Sequence, residues 1–105
     1  MKERTKNISD LIKKRIKQID EKAQVILYGS RALGKENKES DWDILILTDY
    51  QPDVIIEREF RKHLYDLELE VEEVFSIFIF SKKDWENKQK ITPFYHNIKK
   101  TGITL

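Results

Sequence analysis

The stretch Gly29-Ser30-Arg31-Ala32-Leu33-Gly34-Lys35-Glu36-Asn37-Lys38-Glu39-Ser40-Asp41-Trp42-Asp43 organises the reading of this chain. A Gly-Ser pair closes one apolar run, Val25-Ile26-Leu27-Tyr28, and a pair of aspartates opens a second, Ile44-Leu45-Ile46-Leu47. Alternate side chains of a strand point the same way, so Asp41 and Asp43 face one side together. Two carboxylates on one face at the mouth of a sheet suit a hard cation such as Mg²⁺. A small-residue turn beside them offers backbone N–H groups to phosphate. Phosphate together with a metal points to nucleotide chemistry.

Working outward, the spacing predicts a helix over residues 8 to 21 from Ile8, Leu11, Ile12, Ile16 and Ile19, with Ser9 or Asn7 as its cap. Val25 to Tyr28 reads as a strand buried on both faces, because its apolar residues are continuous. Gly29 makes the turn at no steric cost. Ser30 is expected to cap a short helical turn, Arg31 to Leu33, which Gly34 ends. Lys35 to Ser40 is a polar loop and Trp42 to Thr48 the second strand. Pro52 and Asp53 introduce an amphipathic helix to about residue 69, carrying Ile56, Phe60, Leu64 and Leu67. Val74 to Phe80 is a third strand, rich in β-branched and aromatic residues. Ser81 opens a short helix to Gln89, and Thr92-Pro93 opens a last one that runs to about Lys100 and stops at Gly102.

Composition bounds the possibilities. The 105 residues leave room for one domain, 1–105. Charged residues make up 37% of the chain, yet the formal net charge is only +1, so nothing pulls it toward nucleic acid or a membrane surface. The chain has no cysteine, which fits a reducing cytoplasm. The charged N-terminus leads into no apolar signal core, and no apolar run approaches the ~20 residues that span a bilayer.

The quoted stretch resembles the nucleotidyltransferase superfamily that includes DNA polymerase beta, in its minimal stand-alone form. The resemblance rests on Gly29-Ser30, the spacer, Asp41-Trp42-Asp43 and the flanks Arg31-Ala32, Gly34 and Ser40, and it covers roughly residues 25 to 48. It implies an α/β fold with a small mixed sheet of three to five strands and helices packed on one face. Asp41 and Asp43 would be the catalytic and metal-binding carboxylates, holding Mg²⁺. Gly29 and Ser30, with Arg31 or Lys35 adding charge, would bind the phosphates of ATP as the substrate. The reaction implied is transfer of a nucleoside monophosphate, AMP from ATP, to a partner protein or a small acceptor. Minimal members of this look are paired with small helical proteins of the HEPN type in toxin–antitoxin-like pairs.

The resemblance also implies a third carboxylate on a later strand. The matching strand offers only Ser76, with Glu70, Glu72 and Glu73 just upstream. Either the register shifts and a glutamate serves, or the third ligand is absent. In the first case the chain is a transferase. In the second it is a module of weak or no activity that holds a nucleotide or a partner. A modifier of small molecules of the aminoglycoside type would need further helices. Trp42 points away from the aspartates and belongs to the core. His63 and His96 lie in helices, where no partner spacing supports a site.

Overall fold

The computed structural model describes residues 2–105. Its elements run α1 (Glu3–Ile19), β1 (Gln24–Tyr28), α2 (Gly29–Leu33), β2 (Trp42–Thr48), α3 (Val54–Val71), β3 (Phe75–Ser81), α4 (Lys82–Asn87), a 3-10 turn (Gln89–Ile91), α5 (Pro93–Thr101) and β4 (Ile103–Thr104). The four strands form one sheet in the order β3-β2-β1-β4. β1 pairs antiparallel with β2 and with β4, and β2 pairs parallel with β3, so the sheet is mixed. A parallel pair needs a crossover between its strands, and α3 supplies it.

Both faces of the sheet are covered. On one, Ile8, Ile12 and Ile16 of α1 and Phe60, Leu64 and Leu67 of α3 pack with Val25, Leu27, Trp42, Ile44 and Ile46. On the other, Leu45 and Leu47 pack with Trp85 of α4 and with Tyr95 and Ile98 of α5. The expectation of helices on one face therefore holds for the two long helices and is corrected for the C-terminal ones. The cause lies in β2, whose consecutive Leu45, Ile46 and Leu47 are all buried and demand apolar cover on both sides. No helix among the described residues is long and apolar enough to cross a membrane.

Three helix starts follow the sequence reading. Asp53 accepts from the Ile56 amide at 2.9 Å, Ser81 from the Asp84 amide at 3.0 Å and Thr92 from the Tyr95 amide at 3.1 Å. Helix α1 departs from it. It begins at Glu3, with Lys2 at the N-cap and no side-chain cap, while Ser9 is buried within the helix and Asn7 is exposed. Thr5 extends the buried stripe one turn earlier, and its hydroxyl reaches Glu36 at 3.4 Å. In α2 the helix begins at Gly29, so Ser30 lies inside it and Tyr28 is the N-cap. Gly34 ends it in the left-handed region, φ 71°.

Candidate metal and nucleotide site

Register brings three side chains into one row. Tyr28 of β1 stands opposite Asp43 of β2, and Asp43 stands opposite Ser76 of β3. Directly paired residues of neighbouring strands share a face, so the row lies on the α4/α5 side of the sheet, at its open end. Asp41 precedes Asp43 by two and is exposed, whereas Asp43 is half-buried. Burial, and then the charge of Asp41, hold the Asp43 carboxyl above its usual range. Burial, and then the charge of Asp43, push the Tyr28 hydroxyl up to about 12.

Gly29 meets this row from above. Its φ is 75°, and a Cβ there would lie 3.1 Å from the Asp43 Cγ and 3.4 Å from its Cβ, with a carboxylate oxygen nearer still. The bare backbone of the turn thus stands directly over the carboxylate. Two neighbouring carboxylates, with oxygen as the only donor type, fit a hard divalent cation and not a thiophilic one.

The β3 residue in register with Asp43 is Ser76. The Trp42 amide donates to the Val74 carbonyl at 2.8 Å and locks the register of β3 against β2. None of the three upstream glutamates lies in β3. Glu70 pairs with Arg15 at 2.6 Å, Glu72 is an exposed α3 C-cap with φ 57°, and Glu73 pairs with Arg4 at 2.8 Å. Among the described residues no group of three metal-ligating side chains comes together.

Arg31 is turned toward Trp42 and Glu73. It is 7% exposed, and its guanidinium lies over the Trp42 ring at 4.8 Å, on the face opposite Asp43. It donates to the Ser40 carbonyl at 2.9 Å and reaches Glu73 at 3.4 Å. Arg31 therefore ties α2 to the loop that delivers Asp41. Lys35 is exposed in that loop. His63 turns its Nδ1 toward the Glu59 carbonyl at 3.0 Å, and His96 is exposed on α5. The roles of Tyr28 beside Asp43 and of Glu73 beside Arg31 escaped the sequence reading. Tyr28 reads as one more residue of an apolar run, and Glu73 gains its role only when α3 carries it back to Arg31.

The family model of the nucleotidyltransferase domain matches residues 9–96. A solved structure described as a crystal structure of a toxin-antitoxin with AMP-PNP is similar to this chain, with a TM-score of 0.56 and 16% identity over 88% of this chain and 70% of that one. At that identity the likeness concerns the fold. No curated protein matches the sequence.

Proposed function

The chain belongs to the nucleotidyltransferase domain family, and from that premise we propose that it binds a magnesium nucleoside triphosphate at Asp41 and Asp43 and transfers AMP from ATP to a separate protein in the cytoplasm. The observation that carries the proposal is the Tyr28–Asp43–Ser76 row beneath the bare Gly29 turn. Asp41 and Asp43 would hold the cation, and the Gly29-Ser30 turn would offer its N–H groups and the Ser30 hydroxyl to the triphosphate. A divalent ion bound there supplies charge neutralisation for the α-phosphate and the departing pyrophosphate.

In the transfer, the acceptor oxygen bonds to the α-phosphorus as the bond to the bridging oxygen breaks. Pyrophosphate leaves with the electron pair and the acceptor proton passes to water. On this reading the acceptor surface comes from a partner. A small helical protein of the HEPN type, in a toxin–antitoxin-like pair, is the partner proposed. The neighbour crystallised as a toxin-antitoxin with AMP-PNP supports nucleotide binding and a partner as a reading for this fold.

One observation favours a second reading. Ser76 faces Asp43 where a third carboxylate would complete the set, and serine is too weak a base to take the acceptor proton. On this reading the chain holds nucleotide and partner with little or no transfer. Incubation with labelled ATP, Mg²⁺ and the product of the adjacent gene, read by intact mass, separates the two. AMP mass on the partner, lost in Asp41→Asn/Asp43→Asn, supports transfer. Nucleotide binding by calorimetry without any added mass supports the binder. Equal nucleotide affinity in wild type and the double variant overturns both.

A further inference from the structure

The face that carries Asp43 and Ser76 also carries a half-exposed aromatic ring. Phe78 lies two residues along β3 from Ser76, in register with Leu45, about 7 Å further down the strand. It is 45% exposed, while Phe75 and Ile79, on the opposite face of β3, are buried. One side of its ring rests on Phe94, centroid to centroid 5.2 Å. Phe94 is in turn held edge-on by Tyr28 at 5.5 Å and by Trp85 at 5.7 Å. The ring is thus backed by an aromatic cluster and is half-exposed on the face that carries Asp43 and Ser76.

We propose that Phe78, backed by Phe94, is the stacking surface for the base of the bound nucleotide. The inference rests on the reading of Asp41 and Asp43 as the magnesium nucleotide site. A ribose separates the α-phosphate from its base by a span of the same order as the two strand positions between Ser76 and Phe78. The ring is pre-set by its neighbours, so little side-chain freedom is lost on stacking. Its cross-strand neighbour, Leu45, carries no hydrogen-bonding side-chain atom to read a base edge. Stacking on such a surface is tolerant of base identity and favours the larger purine rings. The site therefore takes ATP and GTP alike and prefers both to CTP and UTP.

The test compares magnesium tripolyphosphate, which has no base, with Mg-ATP, Mg-GTP and Mg-CTP by calorimetry. Variants are Phe78→Ala and Phe78→Leu, the second keeping apolar contact with Phe94 while removing the flat ring. Wild type is expected to bind Mg-ATP and Mg-GTP about tenfold tighter than Mg-tripolyphosphate. Both variants are expected to lose most of that gap and to keep their tripolyphosphate affinity. A gap that survives in both variants overturns the platform. So does a wild type that binds ATP no better than tripolyphosphate, or a strong preference for ATP over GTP. If wild type binds neither ATP nor tripolyphosphate, the acidic site itself is misread and the platform falls with it.

Discussion

The Gly29 turn and the Asp43 carboxylate occupy the same small volume, because a Cβ on Gly29 would overlap the acid. The backbone of the turn and the acid of β2 are thereby fixed against each other without any side chain between them. On the proposed reading, this juxtaposition puts the N–H groups that would face phosphate and the carboxylate that would face the metal in one place. It also binds the stability of the turn to the geometry of the site.

Two glycine substitutions separate those roles. Gly29 and Gly34 both have positive φ, 75° and 71°, but nothing lies within 4 Å of a Cβ built on Gly34. Gly34→Ala is expected to cost ~1 kcal/mol of backbone strain and to leave nucleotide affinity unchanged. Gly29→Ala adds the overlap with Asp43, for a total of ~2–4 kcal/mol, and weakens Mg-ATP binding. Denaturant melts with calorimetry check both. Equal behaviour of the two variants would show that the contact between Gly29 and Asp43 has no functional weight.

Much of this arrangement was legible in the sequence, and the physical reasons are specific. The bounds of β2 follow from the apolar run Ile44 to Leu47, set between Trp42-Asp43 and Thr48 and followed by the polar Asp49. Asp53, Ser81 and Thr92 announce their helices because a short oxygen-bearing side chain before a helix has few other uses. The early start of α1 was hidden, since Thr5 and Ser9 look like surface residues until the loop bearing Glu36 covers the first turn. β4 was hidden because two residues carry no period. Arg31 read as a phosphate ligand because a cation beside a Gly-Ser turn has that chemistry. Only the return of Glu73 from the end of α3 shows where its charge is spent.

Arg31 is accordingly expected to behave as a structural clamp. Arg31→Ala removes the contact with the Trp42 ring, the bond to the Ser40 carbonyl and one partner of the nearly buried Glu73. Breaking a buried pair from one side costs about 3 kcal/mol. Arg31→Lys keeps the charge but not the planar, two-point hold, and recovers only part of that. Thermal melts and Mg-tripolyphosphate titration are the measurements. A variant that melts like wild type and loses phosphate affinity would instead make Arg31 a direct ligand.

The raised pKa of Asp43 gives a pH-dependent prediction. The folded chain holds the Asp43 proton more tightly than the unfolded chain does. Stability from this group is therefore present below the ordinary carboxylate range and is lost as pH rises through that range to the raised value. Above it the deficit is constant. Asp43→Asn removes the deficit, so without metal it should match wild type near pH 3 and melt higher at pH 7. The gain should stay below ~1 kcal/mol, because the carboxyl is partly in water. Added Mg²⁺ should raise the melting temperature of wild type and not of the variant. A variant that melts lower at pH 7 would mean that Asp43 stabilises the fold.

Ser76→Asp tests the third position directly. The register sets residue 76 beside Asp43 on the adjacent strand, roughly 5 Å away along the sheet. A carboxylate there joins two others that already repel each other. Without metal the variant should melt lower than wild type at pH 7, and the loss should vanish at pH 3, where the carboxyls are protonated. Ser76→Asn, similar in shape and uncharged, should show no such pH dependence. With a divalent cation the sign reverses. Three carboxylates can hold the ion from three sides, so Mg²⁺ affinity should rise by about tenfold or more and the melting temperature should recover with it. A gain in nucleotide transfer to the partner would then identify the carboxylate at residue 76 as what the transfer lacked. If the variant melts lower with and without Mg-ATP and binds neither more tightly, residue 76 is not the third ligand position, and the acidic pair works without one.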